Sequence, residues 1–325
     1  RLNYFMENKM NNNLIHCLTT LKTLLSTTDI QLSHLQEISV EVKELIPNKY
    51  SFDEQKYPRL GFTLSYDDLV PFLKENNINL TDDLINELNQ FILSLKDDRE
   101  IKAVVFKSFH ESFFIAHLDL NVINGTSGGQ AASIEFNHMI ANIKAMKQLS
   151  IAVIDGVARG GGNEFVMACD LSYGTEKSAF AQPELYINIP TGGQGAVQFA
   201  RRLGKGKALQ ALLTGADFTA QQAESLNIIT QFIPSSELAT FLTQLLAIVA
   251  SWEVRDIVMY KEIIAASIED ENVGAELELR YFLERAKEEK TQTIIAAFLK
   301  HGGQTVREAN DIQGIFADIA AELSK

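Results

Sequence analysis

Two glutamates that follow turn-forming residues are the side chains best suited to chemistry in this sequence. Glu164 lies two residues after the run Gly160–Gly162, and Glu184 directly follows Pro183. A carboxyl in apolar surroundings exchanges protons near neutral pH because burial raises its pKa. A pair of such carboxyls near backbone N–H donors suits proton transfer beside a carbonyl group. An acid in the first turn of a helix also complements the helix dipole, so a structural role for Glu164 stays open.

The run Gly160–Gly162 stands between a predicted strand and a predicted helix. Glycines let the backbone approach a ligand closely, and the N–H groups at a helix start point outward. Such a turn holds a phosphate, stabilises an oxyanion or simply packs a strand against a helix. The GxGxxG fingerprint of dinucleotide-binding proteins and the GK[ST] ending of a P-loop are absent here, so neither nucleotide-binding turn is expected.

The elements that must position these residues alternate between strands and helices. Short apolar runs at 103–106 and 151–154 predict two buried strands. The segment 81–95 predicts a helix with a threonine cap, and apolar spacing predicts another helix near residues 131–147. This alternation is typical of an α/β architecture, and the chain after residue 205 is expected to be mostly helical.

Residues 1–56 differ from the rest of the chain. Leucines recur at helical spacing in two stretches, which are separated by the turn-forming Ser26–Asp29 and ended by Pro47. We therefore predict a helical hairpin followed by a polar linker, and we assign it no chemistry. The segments 60–66 and 69–74 flank two aspartates and predict a short β-hairpin.

The composition is that of a folded protein and disfavours several partners. Hydrophobic residues make up 46% and charged residues 22% of the 325 residues, and the net charge of -13 disfavours nucleic acid and anionic membranes. The two cysteines lie far apart and indicate neither a metal site nor a disulfide framework. No apolar run approaches the roughly 20 residues that span a bilayer, and no signal peptide is evident, so a cytoplasmic protein is expected.

The densest group of basic residues is Arg201, Arg202, Lys205 and Lys207. A solvated turn after a helix explains such a cluster. A ligand that carries phosphate groups explains it equally well, because guanidinium and ammonium groups bind phosphate. Both interpretations stay open.

The segment 154–184, IDGVARGGGNEFVMACDLSYGTEKSAFAQPE, resembles the central block of the crotonase superfamily, which contains the enoyl-CoA hydratases and isomerases. In that family GGG-x-E, followed twenty residues later by QPE, carries two catalytic glutamates, which correspond to Glu164 and Glu184. Three later segments also match the family: Arg202–Lys205, Leu213–Gly215 and Thr219–Ala223. The similarity covers roughly residues 57–325.

The resemblance implies an α/β fold built as a spiral of ββα units. It also implies a C-terminal helical region that packs against other subunits in a homo-oligomer, either a trimer or a dimer of trimers. The expected domains are a helical N-terminal extension with its linker over 1–56, a catalytic core over 57–250 and a C-terminal oligomerisation region over 251–325.

The resemblance also assigns roles to individual residues. Phe114–Leu120 resembles the family segment F-x-A-G-x-D-L, so the backbone N–H groups of Ala116 and Gly161 are expected to form an oxyanion hole. The residues expected to contact the substrate are Asn79, His117, Asp119, Gly160, Gly162, Pro183 and Thr191.

Two side chains depart from the family pattern. His117 replaces the usual glycine beside the first oxyanion donor, where it either contacts the substrate or is supported by its own turn. Arg159 replaces an apolar residue just before the glycines, where it pairs either with a phosphate or with a neighbouring acid.

The loop after the second glutamate is a third departure. Between Glu184 and Pro190 the chain is one residue shorter than typical hydratases, and Thr191 stands where a glycine is usual. Because this loop helps to place the attacking water in hydratases, the deletion is expected to affect hydration more than enolate formation.

The reaction implied is the addition of water across the double bond of a 2-enoyl-CoA. Glu184 is expected to protonate the α-carbon and Glu164 to activate the water, with coenzyme A as part of the substrate and no metal or redox cofactor. The alternatives are double-bond isomerisation or another enolate-forming reaction on an acyl-CoA, and a non-catalytic acyl-CoA-binding scaffold. Retention of both glutamates favours hydration, because many isomerases of this family keep only one.

Overall fold

The computed structural model describes residues 80–108, 110–121, 123 and 126–323. The helical hairpin predicted over 1–56, the β-hairpin predicted within 60–74 and the predicted substrate contact Asn79 lie outside these residues.

The chain divides into two compact units, the first ending at Ile257 and the second beginning at Val258. The domain boundaries expected from the sequence stay predictions.

The first unit repeats the order strand, strand, helix three times. Helix α1 (Asp82–Ser94) precedes the repeats. They are β1 (Ala103–Lys107), β2 (Phe113–Ile115) and α2 (Ser127–Ala145); β3 (Leu149–Ile154), β4 (Val157–Arg159) and α3 (Gly161–Ala168); and β5 (Leu171–Gly174), β6 (Ala179–Ala181) and α4 (Gly195–Thr214). A short 3-10 helix, Glu184–Ile187, lies between β6 and α4. The unit continues with β7 (Phe218–Thr219), α5 (Ala220–Ser225), β8 (Gln231–Phe232) and α6 (Ser235–Ala250). The predicted α/β spiral of ββα units is confirmed.

The strands form two sheets of four strands each. The first strand of every repeat joins β8 in a parallel sheet of order β1-β3-β5-β8. The second strands join β7 in the order β2-β4-β6-β7, in which only β7 is antiparallel. Because β2, β4 and β6 run in parallel, the residues that follow them meet at one edge of the second sheet.

The first sheet is buried on both faces, which explains why its strands are continuous apolar runs. One face belongs to the main core, to which β1 contributes Val104 and Phe106. The other face places Val105 and its neighbours against α6, through Leu242 and Leu246. The predicted strands at 103–106 and 151–154 are therefore confirmed as β1 and β3.

The capping residues explain why the predicted start of α1 is correct and why the predicted start of α2 is wrong. Thr81 caps α1 by accepting the N–H of Leu84 at 3.3 Å, as its sequence predicted. Helix α2 begins at Ser127 rather than near residue 131, because Thr126 caps it by accepting the N–H of Gly129 at 3.3 Å. Two glycines in the first turn hid this start, since glycine is a poor helix former.

The basic cluster lies on both sides of a kink in α4 rather than after the end of the helix, and the sequence had left a solvated turn and a phosphate-binding group open. Gly204, with φ 73°, interrupts the helical dihedrals, but the helix resumes after it. Arg202 is partly buried and donates to the carbonyl oxygens of Met167 at 2.7 Å and Ile228 at 2.9 Å. This side chain therefore satisfies a carbonyl at the end of α3.

The second unit is helical, which confirms the predicted C-terminal helical region. Helix α7 (Val254–Glu269) crosses the division between the units, and α8 (Glu271–Arg285), α9 (Glu289–Lys300) and α10 (Val306–Leu323) follow it. The last two helices share a small core of Ala297, Ile315 and Ile319. Ion pairs also join them, among them Lys300 with Glu322 at 2.8 Å.

No single helix in the described part of the chain is long and apolar enough to cross a membrane. The bent pair Ser235–Ala250 and Val254–Glu269 reaches that length and composition only when its two helices are taken together.

Candidate active site

Three segments that carry predicted site residues meet at one edge of the second sheet. Ala116 follows β2, Gly160 follows β4, and Gln182, which leads to Glu184, follows β6. The parallel pairing of these strands places the three segments side by side. Residues far apart in sequence are thereby brought together at one site.

The first and third glycines of the run have different physical reasons to be glycine. Gly160 has φ 49°, a conformation that residues with side chains rarely adopt. A β-carbon on Gly162 would lie only 2.1 Å from the carbonyl oxygen of Ile115. The glycine run therefore packs directly against the backbone that leads into Ala116. This agrees with the interpretation that the glycines pack a strand closely against a helix.

The two predicted oxyanion donors belong to these contacting segments. Gly161 is the first residue of α3, so its N–H is among the four at a helix start that no carbonyl of the helix accepts. A β-carbon on Gly161 would lie 3.1 Å from the backbone nitrogen of Leu118, two residues past Ala116. The segment of Ala116 thus borders the start of α3, and the oxyanion role of both amides stays a prediction.

Glu164 lies in the first turn of α3 and is only 2% exposed. Its Oε1 accepts two backbone N–H groups, from Gly193 at 2.8 Å and from Gly195 at 2.7 Å. Burial raises the pKa of Glu164 to about 7; the charge of Glu184 adds to the rise, whereas the two N–H bonds and Lys144 oppose it. A carboxyl with this pKa gains and loses protons near neutral pH.

Glu184 is the first residue of the 3-10 helix and faces the glycine run. Its Oε1 lies 3.4 Å from the position that a β-carbon on Gly160 would occupy. Both carboxyl oxygens are buried and have no hydrogen-bond partner among the described residues. Burial raises the pKa of Glu184 above its ordinary value. Burial is the largest effect on the pKa of Glu184, whereas Glu164 also accepts two backbone N–H groups from other segments.

Several predicted substrate contacts have local partners of their own. Nδ1 of His117 lies 2.8 Å from the carbonyl oxygen of Leu118, which supports the imidazole within its own turn. Oδ1 of Asp119 accepts the N–H of Asn121 at 2.9 Å. The hydroxyl oxygen of Thr191 accepts the N–H of Ala196 at 2.9 Å.

Pro183 precedes the 3-10 helix, and its carbonyl oxygen accepts the N–H of Tyr186 at 3.0 Å. Arg159 forms a two-bond ion pair with Asp217, at 2.7 and 2.6 Å, so it pairs with an acid as one of its two interpretations held.

Sequence reasoning missed the polar groups that surround Glu164. The amides of Gly193 and Gly195 come from a glycine-rich loop whose proximity to α3 no local pattern reveals. The side chains of Asn163 and Gln182 are 0% and 1% exposed and have no hydrogen-bond partner in the described part of the chain. Gln182 was visible in the QPE motif, but no role had been assigned to it.

Within residues 80–323, apart from the undescribed positions, no group of three or more His, Cys, Asp or Glu side chains is arranged to hold a metal ion. The groups that the fold places together at the site are two carboxyls, backbone amides and buried amide side chains.

A spiral of ββα units with two buried carboxyls at one sheet edge defines the class of protein, and comparison with known families agrees. Residues 73–305 match the family model described as enoyl-CoA hydratase/isomerase. The chain belongs to this family, within the crotonase superfamily, and is an enzyme of the enoyl-CoA hydratase/isomerase family.

Curated relatives cover much of the same region. A probable mitochondrial enoyl-CoA hydratase of Dictyostelium discoideum is 29% identical over 230 residues, which are 69% of this chain and 80% of the relative. The mitochondrial enoyl-CoA hydratase of Pongo abelii is 31% identical over 204 residues, which are 62% of this chain and 70% of the relative.

Solved structures show the same fold. An enoyl-CoA hydratase from Bacillus anthracis aligns with a TM-score of 0.64 at 23% identity, over 70% of this chain and 90% of that one. DspI of Pseudomonas aeruginosa aligns with a TM-score of 0.63 at 26% identity, over 68% of this chain and 86% of that one.

Proposed function

We propose that this protein adds water across the double bond of a 2-enoyl-CoA thioester. The observation that supports it best is the unequal environment of two buried carboxyls at one sheet edge. Glu164 accepts two backbone N–H groups, whereas both oxygens of Glu184 lack a partner among the described residues. Two carboxyls in different surroundings suit separate roles as base and acid.

The thioester oxygen is expected to accept the N–H groups of Ala116 and Gly161. Negative charge grows on this oxygen as the double bond is attacked, so preorganised amides stabilise the enolate-like transition state. Each such donor contributes roughly 3 kcal/mol in enzymes where one has been removed.

The protons move between the two carboxyls. Ionised Glu164 accepts a proton from water, and the water oxygen bonds to the β-carbon while the electrons of the double bond move toward the thioester oxygen. Protonated Glu184 then donates its proton to the α-carbon, which restores the carbonyl group and gives a 3-hydroxyacyl-CoA. Return of the proton from Glu164 to Glu184 through solvent resets the enzyme.

The relatives that are named enoyl-CoA hydratases support the proposed substrate class. Coenzyme A enters as part of the substrate. Because the addition of water leaves the oxidation level unchanged, the proposed reaction needs no redox cofactor, and the two carboxyls supply its proton transfers. A cytoplasmic location and a homo-oligomer remain predictions.

Incubation with crotonyl-CoA and longer 2-enoyl-CoAs tests the proposal. The absorbance of the conjugated enoyl thioester should fall as the 3-hydroxyacyl-CoA forms. Glu164→Gln and Glu184→Gln should each lower turnover by about a hundredfold, the usual scale for lost acid or base catalysis. Near-native rates in both variants would show that these carboxyls are not the acid and base.

Isomerisation is separated in the same assay with a 3-enoyl-CoA. Conversion of this substrate to the 2-enoyl isomer, without hydration of crotonyl-CoA, would identify the reaction as double-bond isomerisation, in which a proton moves between carbons. Binding of coenzyme A esters with neither reaction would favour a non-catalytic acyl-CoA-binding scaffold.

A further inference from the structure

The loop Gly192–Gly195 controls the hydrogen bonds of Glu164. Two of its amides, those of Gly193 and Gly195, donate to Oε1 of this buried carboxylate. Between them lies Gln194, which has φ 73°, a left-handed conformation that costs energy for a residue with a side chain. Other contacts must therefore hold the loop in the shape that aims both amides at Glu164.

Gly192 needs such support most. Nothing lies within 4 Å of the position that a β-carbon on Gly192 would occupy, and the residue is exposed. No close packing therefore surrounds the β-carbon position of Gly192, and its carbonyl oxygen accepts a side-chain hydrogen bond that can hold this end of the loop.

Two side chains from α2 hold the loop on either side of Gly193. The amide nitrogen of Asn137 donates to the carbonyl oxygen of Gly192 at 2.6 Å. The ammonium group of Lys144 donates to Oε1 of Gln194 at 2.5 Å. Asn137 and Lys144 are seven residues apart, which is about two helical turns, so they project from the same face of α2.

Helix α2 gives these side chains a rigid base. Phe136, Ile140 and Ile143, which flank or separate them, are at most 1% exposed and belong to the main core. A side chain anchored on a packed helix loses less freedom when it binds a loop than one on a mobile segment does.

We propose that Asn137 and Lys144 are positioning residues that hold the loop Gly192–Gly195 so that its two amides favour the ionised form of Glu164. The catalytic meaning of this arrangement, a base ready to accept a proton from water, rests on the proposed function. The hold of α2 on the loop does not.

Asn137 and Lys144 are expected to differ in how strongly they affect the pKa of Glu164, because only Lys144 carries a charge. Glu184 faces it from the 3-10 helix and opposes its ionisation, and Lys144 faces it from α2 and favours ionisation. Burial, followed by the charges of Arg202 and Arg201 on α4, lowers the pKa of Lys144 below its ordinary value. Lys144→Met removes both a charge and a hydrogen bond, whereas Asn137→Ala removes only a hydrogen bond.

Direct titration of Glu164 tests this assignment without relying on activity. The full-length protein is labelled with glutamate carrying carbon-13 at the carboxyl, and the Glu164 signal is identified by its loss in Glu164→Gln. A carboxylate that accepts two or three backbone N–H bonds titrates far below its ordinary pKa, so each lost bond is worth about one unit. Asn137→Ala should raise the Glu164 pKa by up to about one unit, and Lys144→Met should raise it further.

A matched control comes from the same helix. Asn142 donates to Oδ1 of Asn89 on α1 at 2.7 Å rather than to the loop, so Asn142→Ala should leave the Glu164 titration unchanged. Lys144→Arg, which keeps the charge and a donor, should recover most of the native value.

In the hydration assay, the acidic limb of kcat/KM for Asn137→Ala and Lys144→Met should move to higher pH by the same amount as the Glu164 pKa, because Glu164 must be ionised to act as a base.

The two readouts separate this inference from the proposed function. An unchanged Glu164 pKa in folded Asn137→Ala and Lys144→Met would overturn the positioning role even if the protein hydrates crotonyl-CoA. A raised pKa in both variants, with no hydration by the native protein, would support the positioning role and reject the proposed reaction.

Discussion

Oε1 of Glu164 lies 2.7 Å from the backbone nitrogen of Gly195, thirty-one residues later in the chain. This bond joins the first turn of α3 to the first residue of α4. The start of α4 therefore stabilises the ionised form of this carboxyl, whereas burial stabilises the protonated form and raises the pKa. The balance of these effects places the Glu164 pKa at about 7 rather than its ordinary 4.5.

The raised pKa predicts a pH-dependent cost in stability. The Glu164 carboxyl binds its proton more tightly in the folded chain than in the unfolded one, so the folded state loses stability as pH rises from 4.5 to about 7. The full cost, about 3 kcal/mol, applies above that range. Glu164→Gln keeps an acceptor for the amides of Gly193 and Gly195 but carries no charge.

Thermal unfolding of the native protein and Glu164→Gln at pH 5 and pH 8 checks this expectation. The variant should be more stable than the native protein at pH 8, and the difference should shrink toward pH 5. Equal stability of the two proteins at pH 8 would mean that the ionised carboxylate carries no such cost.

The glycine run predicts a second effect. Gly162→Ala places a methyl group against the carbonyl oxygen of Ile115, which must shift together with the adjacent amide of Ala116. We expect a loss of about 2 kcal/mol or more in unfolding free energy, as in overpacked cores, and a fall in kcat. Chemical denaturation and the hydration assay measure the two losses.

Gly206→Ala is the matched control for Gly162→Ala. Gly206 also lies in a helix, but nothing lies within 4 Å of its β-carbon position. This substitution should raise the unfolding free energy by roughly 0.5–1 kcal/mol and leave kcat unchanged. If Gly162→Ala behaved like this control, the close contact with Ile115 would not be a constraint.

The exposed apolar face of α8 bears on the predicted homo-oligomer. Leu279, Phe282 and Leu283 share one face of this helix and are 58%, 67% and 49% exposed. Exposed apolar patches of this kind occur at protein–protein interfaces, and the predicted homo-oligomer requires such an interface. Phe282→Glu should therefore lower the mass of the assembly in light scattering. Glu284→Lys, on the opposite side of the helix, should not.

An unchanged mass in Phe282→Glu would place any interface between subunits elsewhere.

The sequence predicted the long apolar strands and the two glutamates because those signals are local. Burial on both faces makes β1 and β3 continuous apolar runs, and the motifs around Glu164 and Glu184 are contiguous. The strands β4, β7 and β8 have only two or three residues, which is too short for a pattern of alternation, so they were not predicted.

The environment of the candidate site was beyond sequence reasoning because it depends on contacts between distant segments. No pattern indicated that Gly193 and Gly195 would donate to Glu164, or that Asn137 on α2 would hold their loop. The sequence left the basic cluster around Arg202 open between a solvated turn and a phosphate-binding group, and neither interpretation foresaw its bonds to the carbonyl oxygens of Met167 and Ile228. These features follow from tertiary packing, which overrides local preference.

The division of roles between Glu184 and Glu164 is the central claim, and exchange of α-protons in deuterium oxide tests it most directly. Butyryl-CoA has no double bond to hydrate, but its α-proton can be removed to form the same enolate. Native protein and Glu164→Gln should both exchange this proton for deuterium, because Glu184 performs that step. Glu184→Gln should lose the exchange by about a hundredfold or more, as measured by mass spectrometry of the recovered thioester. Loss of exchange in Glu164→Gln and its survival in Glu184→Gln would contradict the assignment.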